Sequence, residues 1–546
     1  MGLQNPVSKR AVKTAGLPTP AKRPTGLADQ AGAAYAAEVS ADHRKNHGLY
    51  LTPVAVADFM ASRIAATGDT IRILDPAAGA GILLCAAVEF LVSRPDAPRR
   101  IELVAYEVDG ALAHVLARTL QDLQLWAATQ GVIVTIDIKS RDFVLDHAAA
   151  LRATDSFLPH IEAEDAFDVV IANPPYFKLN KADPRAQAAA AVVHGQPNIY
   201  GLFMAIGAAL LRDKGELVFI TPRSFASGPY FRVFREKFFD CVRPEFVHVF
   251  GSRRDAFGRD AVLQENIITK GVRSDHWPRR GSPKLVVSTS EGVDDLATST
   301  HRTTPLAAIL DMQSKDKVLR LPVSKAEDDL MRLVDSWPGS LRRYGLQIST
   351  GPVVPFRATE FLDQTGAPPA AHVPLLWMNH VHAMQVRWPL GRRKPEYIKN
   401  FSASTNLLVP NRNYVLLRRF SAKEEHRRLV AGPYLARSIA APMLGLENHL
   451  NYIYRPGGAL TEDETFGIAA LLSSSLLDTY FRISNGNTQV SATELRSMPL
   501  PSLEIIAAIG REARSQRTPA HAIDELVMRF VETRHSLKKV SGRGQR

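Results

Sequence analysis

Ile71-Arg-Ile-Leu-Asp75-Pro-Ala77-Ala-Gly79-Ala-Gly81, continuing through Ile82 to Val92, sets a short apolar run, a glycine turn and an apolar helical pattern in direct succession. A strand that enters a helix in this way opens an α/β sheet. Gly79 and Gly81 permit a tight turn and close backbone approach, so a ligand can lie against the loop at the carboxyl edge of the sheet. A dinucleotide fingerprint would need a third glycine at position 84, which is Leu84, and no Gly-Lys-Ser/Thr follows. Phosphate cradling is therefore disfavoured.

Further apolar runs follow at Ile101–Glu107, Val132–Ile136, Phe167–Ala172, Glu216–Thr221, Glu245–Phe250 and Val262–Thr269, with helical patterns such as Ala111–Thr129 and Ile199–Leu211 between them. This alternation predicts a parallel, doubly wound seven-stranded sheet. After about residue 280 Pro and Gly punctuate shorter, mixed segments, which predicts an irregular α+β domain. The expected organisation is a flexible basic tail over 1–45, a catalytic domain over 46–280, a connection over 281–339, a recognition domain over 340–505 and a terminal helix with a basic tail over 506–546.

The 546 residues exceed one ordinary core, and 45% apolar with 22% charged residues suits a globular chain. Cys85 and Cys241 are the only cysteines, so disulfides contribute little and a reducing cytoplasm is the natural compartment. No window approaches 18 uninterrupted apolar residues, so no membrane span is expected. His and Cys clusters with metal spacing are absent, and the chemistry below needs no metal. The net charge is +12, which suits a polyanionic partner. From Ser340 to Arg437 there are 15 Lys+Arg and 5 Asp+Glu, with Trp388, Tyr397, Phe401, Tyr414 and Phe420 interleaved. That mixture predicts a nucleic-acid surface, with Arg392, Arg393, Lys394, Arg412, Arg418 and Arg419 as candidate contacts.

Two acids close successive strands. Glu107, followed by Asp109, can accept both hydroxyls of a ribose, while Asp142-Phe143 offers an acceptor and an apolar face to an adenine. An adenosine bound without phosphates, as in S-adenosylmethionine, fits this set. The Phe167–Ala172 run then opens into Asn173-Pro174-Pro175-Tyr176. The prolines impose a rigid extended turn whose carbonyls are free to accept. An amine could donate one hydrogen to the Asn173 side chain and the other to the Pro174 carbonyl, leaving its lone pair facing a methyl donor. Tyr176 gives a flipped base a surface on which to stack.

With these motifs the chain resembles the class I S-adenosylmethionine-dependent adenine-N6 DNA methyltransferases of gamma arrangement, over residues 46 to about 505. The resemblance implies a cofactor set of Thr52, Asp75, Ala77, Gly79, Gly81, Glu107, Asp142, Phe143 and Asn173, with Thr52 taken from Gly48-Leu-Tyr-Leu-Thr52-Pro53. It implies Asn173, Pro174 and Tyr176 as the catalytic residues and Phe257 as the second aromatic against the flipped adenine, although Phe250 lies nearby. Asn198–Phe203, Thr221–Phe225, Asn448–Tyr452 and Asn485–Arg496 also resemble family blocks. Double-stranded DNA is the implied partner, with room for a separate cognate restriction endonuclease.

The same turn suits methylation of a protein glutamine, of RNA guanine or of cytosine N4, and an inert DNA-specificity protein is a reading from another class. The basic recognition region favours DNA, and Asn rather than Ser before the prolines favours adenine. Glu396-Tyr-Ile-Lys399 is spaced wrongly for a nuclease.

Overall fold

The computed structural model describes residues 23–48, 51–151, 165–195, 197–251, 265–274, 277, 282–365, 371–391, 393–420, 427–484 and 490–541. The chain divides into two compact units: 1–225 with 230–318, and 226–229 with 319–546.

In the first unit the strands are β1 (Thr70–Asp75), β2 (Arg100–Tyr106), β3 (Ile133–Lys139), β4 (Phe167–Ala172), β5 (Leu211–Pro222), β6 (Val242–Phe250), β7 (Asn266–Arg273), β8 (Lys284–Ser290) and β9 (Thr300–Pro305). Among the described residues they form one sheet in the order β3-β2-β1-β4-β5-β7-β6-β8-β9. β3 through β5 run parallel, joined by crossovers that contain helices. All six residues of β4 are buried, as expected of a central strand covered on both faces. Outward growth from β1 to β3 and return to β4 places a topological switch between β1 and β4, where such sheets bind ligands.

The seven expected strands all form, with two differences. β7 runs antiparallel between β5 and β6, because apolar runs carry no direction and the connection sets it. β8 and β9 extend the sheet within the stretch expected to be a connection. β9 was missed because Thr300-His-Arg-Thr-Thr-Pro305 is polar, and an edge strand needs few apolar residues.

The basic tail also requires correction. Residues 1–22 lie outside the described residues, but α1 (Pro24–Glu38) and α2 (Ala41–His47) are helices. Pro24 suits a first helical turn and the alanines favour its continuation. Alanine and glycine dominate the buried face (Gly26, Ala28, Gly32, Ala36), so no strong apolar period announces it. Arg23 fastens the start of α1: its guanidinium lies 2.7 Å from both Glu89 Oε2 and Asp58 Oδ1. Glu89, on the helix Ile82–Val92, is 8% exposed and also accepts from the Thr25 amide and hydroxyl. Arg23→Ala should therefore destabilise the chain by on the order of 3 kcal/mol, because it leaves a buried carboxylate without its cation. Urea melts of the variant should show the shift, and replacing Arg23 and Glu89 together by Met should recover most of it.

The remaining helices of this unit are α3 (Val54–Ala61), α4 (Ile82–Val92), α5 (Gly110–Thr129), α6 (Phe143–His147), α7 (Pro184–Ala188), α8 (Ile199–Leu210) and α9 (Arg232–Cys241). β1, α3, α4 and α5 share one apolar core.

The second unit contains a four-stranded antiparallel sheet of Gln347–Thr350, Leu450–Tyr454, Tyr414–Arg418 and Ala431–Tyr434. Among the described residues, the strands of a five-stranded mixed sheet are interleaved with these along the chain. Helices Glu462–Ser473 and Leu503–Ser515 approach at Gly467 and Gly510, where a Cβ would meet backbone carbonyls at 1.9 and 1.8 Å. The C-terminal region holds this helix and Ile523–Ser541, two helices where one was expected. No helix among the described residues is long and apolar enough to cross a membrane.

Candidate functional site

The residues singled out after β1 and β4 meet at the switch point. A cleft there is lined by Ala28, Asp29, Thr52, Asp75, Gly79 and Asn173, among others. The glycine loop forms its floor. Gly79 has φ +55° and Gly81 φ +90°, conformations that L side chains rarely adopt. A Cβ on Gly79 would meet nothing within 4 Å, whereas one on Gly81 would strike Leu116 at 2.9 Å. Gly79 thus keeps the cleft open, and Gly81 lets α5 pack against the loop.

Asp75 ends β1 and is 1% exposed. One carboxylate oxygen accepts from the Ala77 amide at 3.0 Å, while Oδ2 has no hydrogen-bond partner. Burial pushes its carboxyl up to about 8; the Ala77 hydrogen bond works against this and the neighbouring Glu107 charge adds to it. A buried, half-satisfied acid facing a cleft is a group placed for a ligand rather than for stability.

Asn173 follows β4. Its Nδ2 donates to Thr52 Oγ1 at 3.0 Å, and its Oδ1 lies 2.5 Å from the Tyr176 hydroxyl. That hydroxyl is also 2.9 Å from the Ile220 carbonyl on β5, so its single proton is shared between two acceptors. The amide is held from both ends, and its orientation is fixed before any substrate arrives. The Tyr176 ring is 6% exposed and meets Tyr200 edge-on at 6.1 Å. The tyrosine expected to offer an open stacking face is therefore packed away here, with its hydroxyl on the asparagine.

The acids after β2 and β3 are engaged locally. Glu107 accepts from the Gly79 amide at 3.0 Å and the Asp109 amide at 2.8 Å, which ties the glycine loop to β2. Asp142 caps α6 by accepting from Leu145 N at 3.0 Å. Phe143 is 2% exposed, with Tyr106 and Phe203 each 5.3 Å away between ring centres. Its ring belongs to an aromatic cluster. Phe257 lies outside the described residues; Phe250 is buried against His248 at 4.5 Å.

Sequence reasoning missed Asp29 and Asn266, and it gave Asp109 only a place beside Glu107 at the ribose. Asp29 reaches the cleft from a segment taken for a tail, and only the structure brings α1 there. Asp109 caps α5 and accepts from the Tyr35 hydroxyl and from His43 Nε2 at 2.8 Å. Burial would raise its carboxyl, but those hydrogen bonds and two backbone amides outweigh this and hold it at about 2. Asn266, opposite Pro222 on β5, buries both polar side-chain atoms without partners.

In the second unit the candidate cations separate into two kinds. Arg418 donates to the Val381 carbonyl at 2.6 Å and Arg419 to the Asn448 carbonyl at 3.1 Å, so both guanidiniums hold the fold together. Arg393 and Lys394 are exposed, with Lys394 4.8 Å from the Trp377 ring centre; Arg412, also exposed, donates to the Gly458 carbonyl at 2.9 Å. Arg392 lies outside the described residues. Glu396 anchors the base of this basic loop, accepting from His380 at 2.8 Å and from the Leu390 and Gly391 amides at 2.8 and 3.0 Å.

Residues 118–257 match the family model of the Eco57I restriction-modification methylases. The chain is 32% identical over 468 residues to Type II methyltransferase M.BsuBI of Bacillus subtilis, spanning 85% of this chain and 89% of that protein. It is 31% identical over 493 residues to Type II methyltransferase M.PstI of Providencia stuartii, spanning 90% and 94%. Among solved structures, a DrdV–DNA complex is 15% identical with a TM-score of 0.49, covering 90% of this chain and 59% of that one. With a third of its residues shared along nearly the whole length of both relatives, the chain belongs to the family of restriction-modification methyltransferases that includes M.BsuBI and M.PstI.

Proposed function

We propose that the chain transfers a methyl group from S-adenosylmethionine to the N6 amine of an adenine flipped out of duplex DNA, as the modification enzyme of a restriction-modification system. The observation that carries this reading is the Asn173 amide, pinned by Thr52 and Tyr176 at the edge of the glycine-floored cleft.

The cleft fits the cofactor on two counts: the unpartnered Asp75 oxygen and the open space above Gly79. Thr52, Asp75, Ala77, Gly79 and Gly81 would hold its amino-acid end, while Glu107, Asp142 and Phe143 stand at the strand ends toward its adenosine. Bound S-adenosylmethionine supplies an electrophilic methyl on a sulfonium. This chain's own contribution is orientation. Asn173 Oδ1 and the Pro174 carbonyl each accept one hydrogen of the incoming amine, which draws its lone pair out of the ring. Amide orientation matters because only the carbonyl end can accept, and the bonds to Thr52 and Tyr176 hold the amide in place. Stacking of the base on Tyr176 requires the ring to leave its present contact with Tyr200 and the hydroxyl to leave Asn173. Adenine, cytosine and glutamine are separated by one experiment: nucleoside and peptide mass spectrometry after incubation with duplex DNA and labelled donor. N6-methyladenine is expected; N4-methylcytosine or N5-methylglutamine alone would replace the substrate.

Residues 340–505 are the proposed target-recognition domain, with the loop carrying Arg392, Arg393 and Lys394 on the phosphates. Neutralising all three should weaken specific and non-specific binding alike and reduce the log-log salt slope by up to about three units, since each phosphate contact contributes about 0.9. Arg418→Gln should instead lower the melting temperature, because its guanidinium serves the Val381 carbonyl. An unchanged slope in the triple variant would move the phosphate contacts elsewhere on the chain.

A further inference from the structure

We propose that Asp29, on α1, is a cofactor-binding residue: with Asp75 it seats the α-ammonium of S-adenosylmethionine, and α1 is a wall of the cofactor cleft. This assignment rests on the methyl-donor reading above.

Strand order gives the direction of the ligand. Ribose and adenine acceptors stand after β2 and β3, and the strands run β3-β2-β1-β4 across the sheet. The amino-acid end of the donor therefore lies over β1 and β4, which is where the cleft is. Asp29 and Asp75 are both among the residues that line that cleft. Asp75 presents a buried oxygen without a partner, an independent sign that a cationic or hydrogen-donating group completes the site. The ammonium is that group on this ligand, and a second carboxylate nearby shares its charge.

The position of α1 is fixed at both ends. Arg23 binds Asp58 and Glu89 at its start, and Tyr35 near its end donates to Asp109 beside the glycine loop. Between them Gly32 lies so close to the loop that a Cβ there would be 3.2 Å from Ala80 and from Leu51. Asp29, one helical turn before Gly32, is thereby held over the cleft. α1 is thus part of the cofactor site, although it precedes every motif of the catalytic domain.

The test uses the full chain and calorimetric titration with S-adenosylhomocysteine and with its analogue carrying hydrogen in place of the amino group. Asp29→Asn should weaken S-adenosylhomocysteine by about tenfold, as expected for loss of a charge-assisted contact. It should leave the deamino analogue unchanged, and Asp29→Glu should recover part of the loss. Equal loss for both ligands would mean that Asp29 shapes α1 rather than binding the ammonium, and no loss for either would remove it from the site; both results overturn the assignment. Failure of the wild-type chain to bind either ligand would overturn the methyl-donor reading, and this assignment with it. Melting temperatures of the two variants should match the wild type without ligand.

Discussion

Asn173→Ala is expected to lower methyl transfer by about 10² to 10³-fold or more, the scale seen when a single preorganised hydrogen-bond partner of a reacting group is removed. Cofactor affinity should change by less than about tenfold, because the loss falls on an interaction made by the amine and not by the bulk of the donor. The mutation removes more than one acceptor. Thr52 Oγ1 loses the amide that donates to it, and the Tyr176 hydroxyl loses the Asn173 oxygen while keeping the Ile220 carbonyl. Asn173→Asp separates the two effects. It keeps an oxygen toward Tyr176 but places a second oxygen where Nδ2 donated, so Thr52 must turn its hydroxyl around. Single-turnover rates with duplex DNA, set beside titrations of S-adenosylhomocysteine, distinguish them. A variant whose chemical rate falls only in proportion to its cofactor affinity would show that Asn173 binds the donor and does not position the amine.

Asp75→Asn should act in opposite directions on stability and on function. The wild-type carboxyl is held at about 8, chiefly by burial, against 3.8 in an exposed chain. Between those values the folded protein binds a proton that the unfolded chain has lost, so stability falls as pH rises from about 4 to about 8 and is flat on either side for this group. Asparagine removes that slope. Without ligand, the variant should melt at the wild-type temperature near pH 4 and several degrees higher near pH 8 and above. It should also bind S-adenosylmethionine at least about tenfold more weakly, since a charge-assisted contact is lost. Asp109 titrates with the opposite sign: held at about 2, it stabilises the fold above about 4, and that contribution is lost as pH falls toward 2. A melting profile of Asp75→Asn parallel to wild type from pH 4 to 9 would show that the carboxylate is not the buried, raised group described.

Much of the first unit was legible because its signals are local. β1 to β7 are apolar runs bounded by turns, and the strand-end positions of Asp75, Glu107, Asp142 and Asn173 follow from the runs themselves. What escaped depends on tertiary contact. α1 buries glycine and alanine against α4 and the glycine loop, so nothing in its composition distinguishes it from a tail until Arg23 finds Glu89 and Asp58. β9 is polar because an edge strand has one neighbour and an open side. Phe143 has the composition of an adenine platform, yet Tyr106 and Phe203 enclose it. Tyr176 stands in the expected turn after β4, but its hydroxyl bond to Asn173 could not be read from the motif. Among the basic residues, charge counts treat Arg418 and Lys394 alike, whereas the fold gives one a backbone carbonyl and leaves the other exposed beside an indole ring.

Modified-base sequencing of the genome of a host expressing this chain, with Asn173→Ala expressed in parallel, reports base, atom and site at once. The account predicts N6-methyladenine at one short recurrent sequence in the wild-type host and its disappearance in the Asn173→Ala host. N4-methylcytosine at such a sequence, an unmodified genome, or a mark that survives the substitution would contradict it.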